Sequence, residues 1–288
     1  MLCTEQRVSV YEMEVAVKMW GPDSGRRVLA LHGWLDNAAS FDALIPQLGE
    51  GLQIAAVDLP GHGLSQGRSG ADAYHFVDWV DVVLRIADGL GWDDFTLLGH
   101  SMGAAIASLT APVAPRRVEQ MVFIDGIGPW SDEAENVVDR LRRGLREEAL
   151  LRSRNPRHYE SKQAMVDALA ENRPDVPDRR LRPLADRAAV RTDDGRWRFN
   201  NDATLKAASR VRLTEPQVMQ FLREIACPVL LIRPRQGWPV DESLVERRLE
   251  AIDDLEVVRV EGGHHVHLEA PERLADDVRH FLCSTDGH

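Results

Sequence analysis

A short stretch of the chain combines one serine with two glycines in a spacing that suits nucleophilic chemistry. Residues Gly99-His100-Ser101-Met102-Gly103 fit the pattern Gly-x-Ser-x-Gly, in which a strand turns sharply into a helix and presents the serine at the turn. The apolar run before this motif and the small residues after it are typical of a buried strand and a helix. The two glycines let strand and helix approach closely. Ser101 is therefore predicted to be a nucleophile.

A serine nucleophile needs a base that accepts its proton, and a histidine-rich loop near the end of the sequence offers one. His264 follows two glycines at the end of a predicted strand, and Pro271 marks the start of a helix. His265 and His267 are competing candidates, and the glycine–histidine junction favours His264. A metal site is the alternative interpretation of this cluster. Because no further histidine and carboxylate partners gather elsewhere in the sequence, we predict no metal.

The negative charge that forms on a carbonyl oxygen during such an attack needs hydrogen-bond donors. One donor is predicted to be the backbone N–H of Met102, at the start of the helix after the nucleophile, where the helix dipole adds to the effect. A second predicted donor is the backbone N–H of Trp34. It lies in the loop His32-Gly33-Trp34 after a predicted strand, where Gly33 permits an unusual backbone path.

The elements that must position these residues alternate between strand and helix patterns, in the first half of the chain and again near its end. Such alternation predicts an α/β fold with a mostly parallel sheet and helices on both faces. Near the start, Val8–Val17 is predicted to be one strand and Ala39–Leu48 one helix.

The character of the sequence changes between residues 130 and 223, where charges and prolines accumulate and strand patterns are absent. Apolar residues at helical spacing persist there in pieces. We therefore predict a helical cap over residues 130–223, inserted into a core domain made of residues 1–129 and 224–288.

Composition excludes some classes of function. The chain of 288 residues carries 35 Lys+Arg and 46 Asp+Glu, for a net charge of −11, which argues against a nucleic-acid partner. No run approaches the roughly 20 apolar residues that cross a bilayer, so no membrane partner is predicted. The 3 cysteines are few and widely spaced, which favours a cytoplasmic location over a disulfide framework. The sequence gives no prediction of oligomeric state.

Taken together, these motifs resemble those of the α/β-hydrolase superfamily across nearly the whole chain. The resemblance rests on His32-Gly33-Trp34, the stretch from Asp58 to Gly63, the motif around Ser101, and Gly263-His264 with the residues that follow. The run from His32 to Ala38, followed by Ser40-Phe41, is similar to the serine hydrolase-like proteins. This resemblance implies an eight-stranded, mostly parallel sheet, a helical cap and a pocket between them.

The acid that supports the histidine departs from the superfamily's usual pattern. It usually follows the penultimate strand, but the loop after Pro228–Arg233 has no carboxylate, and Gly237 stands about where one is expected. Asp125 ends the strand that follows the nucleophile's own strand and helix, and some superfamily members place the acid there. We favour Asp125 because the carboxyl ends of parallel strands face the site. Asp241 is the alternative acid, although Asp before a helix is a typical N-cap, and a pair without an acid is a third arrangement.

The predicted function is that of a carboxylesterase-like serine hydrolase acting on a small to medium ester, thioester or related acyl substrate. Ser101 attacks, His264 takes its proton and Asp125 orients the imidazole, with no metal or organic cofactor. Carbon–carbon bond hydrolysis or perhydrolysis by the same residues remains open. The alternative from another class is a non-catalytic ligand-binding or signalling protein on a hydrolase scaffold.

Overall fold

One large sheet organises the computed structural model, which describes residues 3–68 and 73–283. The strands are, in chain order, β1 (Cys3–Val10), β2 (Met13–Trp20), β3 (Arg26–Leu31), β4 (Leu52–Val57), β5 (Phe95–His100), β6 (Val118–Ile124), β7 (Ala189–Arg191), β8 (Trp197–Phe199), β9 (Val229–Gln236) and β10 (Leu255–Gly263). The large sheet has the order β1-β2-β4-β3-β5-β6-β9-β10. β2 runs antiparallel to both neighbours and the other neighbouring pairs are parallel. The predicted eight-stranded, mostly parallel sheet is confirmed.

Helices cover both faces of this sheet, as predicted. They are α1 (Asp78–Gly89), α2 (Met102–Val113), α3 (Val137–Ser153), α4 (Lys162–Ala170), α5 (Asp178–Ala188), α6 (Glu215–Arg223), α7 (Glu242–Leu249), α8 (Val266–Glu269) and α9 (Ala275–Cys283). Successive residues of β3 show the two layers, because side chains alternate along a strand. Leu29 and Leu31 pack in one core with residues of α1, α2 and α7, whereas Val28 and Ala30 pack in a second core with residues of α9.

Two local predictions near the start of the chain were wrong. Val8–Val17 is a hairpin and not one strand, because the chain reverses at Tyr11, whose φ is +55°. The buried positions shift by one residue at the turn, from Val8 and Val10 to Met13, Val15 and Val17, and this change of phase was the sign of the break in the sequence. Ala39–Leu48 forms two short 3-10 turns instead of an α-helix. Pro46 lies in the second turn, and its ring and missing N–H prevent an α-helix from continuing through it.

The chain leaves the sheet after β6 and returns at β9, and we call residues 125–228 the inserted segment. It contains α3 to α6 and also the antiparallel pair β7–β8, so the prediction that this region lacks strands was wrong. The reason is that each of these strands has only 3 residues, which is too short for a detectable pattern. The boundaries of a cap at 130 and 223 remain a prediction.

Two buried ion pairs join the inserted segment to the loops at the carboxyl edge of the sheet. Arg187 at the end of α5 donates to Asp58 at 2.8 Å, and Arg173 after α4 donates to Asp36 at 2.5 Å. The inserted segment also has a small apolar cluster of its own, which includes Ala39 and Leu268 from outside it. Within the residues that the structure describes, no helix combines the length and the apolar character that a membrane span requires.

Candidate active site

Ser101 occupies the sharp turn between β5 and α2. Its φ of +51° and ψ of −111° are unusual for a residue with a side chain, and such strain is common where a turn presents a reactive group. The turn is tied to the next strand, because the N–H of Ser101 donates to the carbonyl of Ile124 at 3.0 Å. The flanking glycines are required. A Cβ on Gly99 would lie 2.4 Å from the nitrogen of Ala104, and one on Gly103 would lie 1.9 Å from a backbone oxygen of β3.

A chain of two hydrogen bonds links Ser101 to His264 and Asp125. His264 Nε2 lies 3.1 Å from Ser101 Oγ, and His264 Nδ1 lies 2.5 Å from Asp125 Oδ2. Since the carboxylate only accepts, Nδ1–H donates to Asp125 and Nε2 is left to accept from the serine hydroxyl. The side chains of His264 and Asp125 are 15% and 12% exposed, so the pair is shielded but open on one side.

The loop after β9 makes room for the carboxylate of Asp125. A Cβ on Gly237 would lie 2.5 Å from Asp125 Oδ1, so the carboxylate of Asp125 fills the space that a side chain at position 237 would need. The same loop holds this carboxylate, because the N–H of Trp238 donates to Asp125 Oδ2 at 2.8 Å. The Trp238 ring packs edge-on against the His264 ring, with 5.1 Å between centroids. β6 and β9 are neighbours, so these two loops meet at one point.

Asp241, the alternative acid in the sequence, caps α7 in the structure. Its side chain accepts hydrogen bonds from the backbone N–H groups of Ser243 and Leu244 and from the Ser243 hydroxyl. These hydrogen bonds, the Ser243 hydroxyl first, lower the pKa of the Asp241 carboxyl. This is the geometry of an ordinary helix N-cap.

The loop that carries His264 is held from two sides. Before it, the N–H of Gly263 donates to Glu269 Oε2 at 2.9 Å. Beneath it, His100 Nε2–H donates to the carbonyl of His264 at 2.9 Å. The loop after Asp125 is held in a similar way, because Arg248 donates to the carbonyl of Ile127 at 2.8 Å while it pairs with Glu215. The supports from His100 and Arg248 were not predicted from the sequence, since they join residues 164 and 121 positions apart.

The two predicted oxyanion donors lie beside Ser101. Met102 is the first residue of α2, and Trp34 follows Gly33, whose missing Cβ would lie 3.5 Å from Ser101 Cβ. Neither backbone N–H donates a hydrogen bond to another residue of the described ranges. The indole of Trp34 donates to the carbonyl of Leu205 at 2.9 Å, which links this loop to the inserted segment.

The structure adds His100 to the histidine cluster that the sequence shows at residues 264, 265 and 267. The ring of His100 lies 4.8, 5.3 and 4.1 Å from the rings of His264, His265 and His267, measured between centroids. Burial lowers the pKa of His265 to about 4 and that of His267 to about 3. Burial likewise holds the pKa of His100 well below its ordinary value.

Asp36 lies next to this cluster, where Ser40 Oγ stands 3.4 Å from Asp36 and 2.8 Å from His267 Nε2. The expectation that no further histidine and carboxylate ligands gather near this cluster was therefore wrong, since His100 and Asp36 lie beside it. His100 is the residue before Ser101, and Asp36 lies in the loop after β3. Both are therefore brought to the same edge of the sheet by the strands that precede them. These positions, one next to Ser101 and one just after β3, were the sequence signal from which both residues could have been predicted near the site.

The strand order, the turn at Ser101 and the carboxyl-edge loops define an α/β-hydrolase. A family model described as alpha/beta hydrolase fold matches residues 26–271, and the chain belongs to that family. A serine hydrolase-like protein of Dictyostelium discoideum is 34% identical over 286 residues, which are 94% of this chain and 79% of that protein. The relatives place the chain in the serine hydrolase-like branch.

Two further comparisons extend this result. The crystal structure of a hypothetical protein from Pseudomonas aeruginosa PAO1 matches with a TM-score of 0.91 and 35% identity, covering 97% of this chain and 99% of that one. An esterase of Mycobacterium tuberculosis is 28% identical over 274 residues, which are 93% of this chain and 86% of that protein.

Proposed function

We propose that this chain is a serine hydrolase that cleaves small to medium esters, thioesters or related acyl compounds through an acyl-enzyme intermediate. The observation that carries the proposal is the hydrogen-bonded chain from Ser101 Oγ through His264 to Asp125. Such a chain is what a weakly acidic hydroxyl needs to become a nucleophile at neutral pH. The similarity to an esterase supports the same class of reaction.

In the proposed reaction, Ser101 Oγ attacks the carbonyl carbon of the substrate while its proton passes to His264 Nε2. The tetrahedral intermediate collapses when the imidazolium returns that proton to the leaving group. Water then attacks the acyl-serine ester, again with His264 as base, and the carboxylic acid leaves. Asp125 fixes the tautomer of His264 and stabilises the imidazolium that forms in each half of the reaction.

The oxyanion of each tetrahedral intermediate is proposed to accept hydrogen bonds from the backbone N–H groups of Met102 and Trp34. Both N–H groups lack an acceptor among the described residues, so both are available to a substrate. Met102 begins α2, and the positive end of the helix dipole adds to the stabilisation of the negative charge. Because these residues supply nucleophile, base and oxyanion donors, the mechanism needs no metal or organic cofactor.

Two further points concern the range of reactions and the cellular location. Carbon–carbon bond hydrolysis and perhydrolysis would use the same serine and histidine, so they remain alternatives within this site. A cytoplasmic location remains a proposal; the three thiols, Cys3, Cys227 and Cys283, are free, which a reducing compartment would maintain.

Labelling with a fluorophosphonate probe tests the proposal, because an activated serine attacks the phosphorus, fluoride leaves, and the serine is phosphonylated. We expect the wild-type protein to be labelled, Ser101→Ala to be unlabelled, and Ser153→Ala, a control at the exposed end of α3, to be labelled like the wild type. Circular dichroism checks that each variant is folded. If folded wild-type protein is not labelled, or if Ser101→Ala is labelled equally, the hydrolase proposal fails and a ligand-binding or signalling role on this scaffold replaces it.

A further inference from the structure

We propose that the side chains of His100, His264 and His265 form a binding site for a transition-metal ion such as Zn²⁺, and that the bound ion reversibly blocks the base His264. The binding part of this proposal stands on the three side chains alone. The blocking part rests on the proposed hydrolase function. The reaction described above uses the side chains of neither His100 nor His265, so the site adds a regulatory or inhibitory property to the enzyme.

The three imidazoles are close enough to share one ion. Each offers one ring nitrogen, and these three atoms lie within 4.8 Å of one another. Zn²⁺ binds histidine nitrogen at about 2.0–2.1 Å, so two ligands of a tetrahedral ion lie about 3.4 Å apart. Ring rotations that move each nitrogen by about 1 Å therefore suffice to form the site.

The side chain of His100 gives the strongest indication that an ion binds here. Its Nε2–H donates to the carbonyl of His264, so Nδ1 carries the lone pair. Within the described part of the chain this Nδ1 is buried and has no hydrogen-bond partner. It borders the space that Gly33 leaves by having no side chain, because a Cβ there would lie 2.8 Å from Nδ1. A buried acceptor without a partner is costly, and a metal ion would satisfy it.

The other two ligands are placed beside His100. The ring of His265 lies 5.3 Å from the ring of His100 and 4.9 Å from that of His264, measured between centroids, so it can contribute the third nitrogen. His264 presents the Nε2 lone pair toward Ser101. A metal ion bound to that lone pair would prevent His264 from accepting the serine proton.

The surrounding charges favour a cation. Asp125 and Asp36 act on His265 as negative charges, and Arg173 acts on it as one positive charge. Three imidazole nitrogens suit Zn²⁺, Cu²⁺ or Ni²⁺ and are poor ligands for Mg²⁺ or Ca²⁺. Since His264 and His265 are partly exposed, an ion can also reach the site from the open side.

A second group of possible ligands, Asp36, His100 and His267, shares His100 with the first group. All three of its members are buried, and Asp36 is already paired with Arg173 at 2.5 Å. His267 Nε2 is engaged by Ser40. The group formed by His100, His264 and His265 is therefore favoured, because two of its members are partly exposed and none of its members forms an ion pair with an arginine.

Calorimetric titration of chelator-treated protein with Zn²⁺, and the visible spectrum of Co²⁺ added as a probe, test the binding directly. We expect one equivalent of Zn²⁺ to bind wild-type protein, and the affinity to fall about tenfold or more in His265→Ala. His158→Ala in the inserted segment and His267→Ala should bind as the wild type does. Zn²⁺ should also slow fluorophosphonate labelling of wild-type protein, and a chelator should restore it.

Several outcomes would overturn the proposal. These are the absence of saturable binding to wild-type protein, binding that His265→Ala leaves unchanged, and binding that His267→Ala abolishes while His265→Ala does not. Failure of the hydrolase proposal can be told apart from failure of the metal proposal. If only the hydrolase proposal fails, the chelator-treated wild-type protein is not labelled by the fluorophosphonate, but titration still detects the bound metal.

Discussion

At the scale of single residues, the acid of the proposed triad occupies a space shared by two loops. Asp125 reaches His264 from the end of β6, and the loop after the neighbouring strand β9 leaves room for it by having Gly237. The backbone of Trp238 then donates a hydrogen bond to the carboxylate. The space near His264 Nδ1 can therefore be reached from the end of β6 or from the end of β9. Only one carboxylate fits there, which accounts for Asp125 after β6 and Gly237 after β9.

Asparagine substitutions distinguish the two candidate acids. We expect Asp125→Asn to lower kcat/KM for a p-nitrophenyl ester by about 10³- to 10⁴-fold, because the amide no longer fixes the tautomer of His264. Asp241→Asn should stay within about threefold of wild type, since asparagine caps a helix almost as well as aspartate. The assignment is wrong if the Asp241 variant loses the activity and the Asp125 variant keeps it.

A methyl group at position 237 should disturb the acid. In Gly237→Ala the new Cβ would stand 2.5 Å from Asp125 Oδ1, so the carboxylate must move away from His264. We expect kcat/KM to fall by about 10- to 100-fold, as misplaced catalytic groups commonly do. Val240→Ala, in the same loop, serves as the control. Wild-type kinetics in Gly237→Ala would mean that the acid is not held at this point.

Ser101 and His264 could be proposed from the sequence because each stands beside glycines in a recognisable local pattern. Asp125 could be favoured over Asp241 because it ends a strand. The partners of His100 and Arg248 could not be predicted, since these contacts join residues that are 164 and 121 positions apart. Local patterns carry no information about such contacts.

At the scale of elements, apolar runs predicted most strands, and the errors near the start of the chain occurred where one residue interrupts a longer apolar pattern, a shift of phase at Tyr11 and the proline Pro46. The turn at Tyr11 has no glycine or proline to mark it. The way the inserted segment packs could not be predicted either. It depends on ion pairs such as Arg187–Asp58, whose members are 129 residues apart.

Removing the arginine of that pair should weaken the attachment of α5 to the core. The side chain of Arg187 is 7% exposed and that of Asp58 is fully buried. Arg187→Ala leaves the Asp58 charge buried with only backbone donors, and we expect a loss of about 3 kcal/mol in the free energy of unfolding, measured with urea. Arg182→Ala, at an exposed site on the same helix, should change it by less than about 0.5 kcal/mol. Equal losses in both variants would contradict this role.

At the scale of the whole molecule, buried histidines link stability to pH. His32, His62, His100 and His267 are all buried. Burial lowers the pKa of His32 to about 4, and those of His62 and His267 to about 3, from an ordinary value of 6.5. Between these values the unfolded chain binds protons that the folded chain does not. Stability is therefore complete above pH 6.5 and decreases as the pH falls toward 4.

We expect the free energy of unfolding to fall between pH 6.5 and 5 by more than about 1.4 kcal/mol per pH unit, because more than one histidine contributes. Urea titrations at several pH values measure this slope. His267→Gln should reduce it by up to about 1.4 kcal/mol per pH unit. His158→Gln, at a partly exposed position, is the control. A flat profile would show that these histidines are not held neutral by the fold.

The resemblance to a known superfamily gave the architecture of the whole molecule, and periodic patterns supported it. The clustering of His100, His265, His267 and Asp36 was not predicted as a whole, because these residues come from the end of β5, the start of α8 and the loop after β3. Where loops converge depends on the packing of the whole sheet.

The contact between the Trp238 and His264 rings has an optical consequence. An imidazolium accepts an electron from an excited indole more readily than a neutral imidazole does, so the emission of Trp238 should dim when His264 takes up a proton. The ring centroids are 5.1 Å apart, which is close enough for such quenching. The difference in fluorescence between wild-type protein and Trp238→Phe, recorded against pH, would thus report the charge on His264 without any substrate.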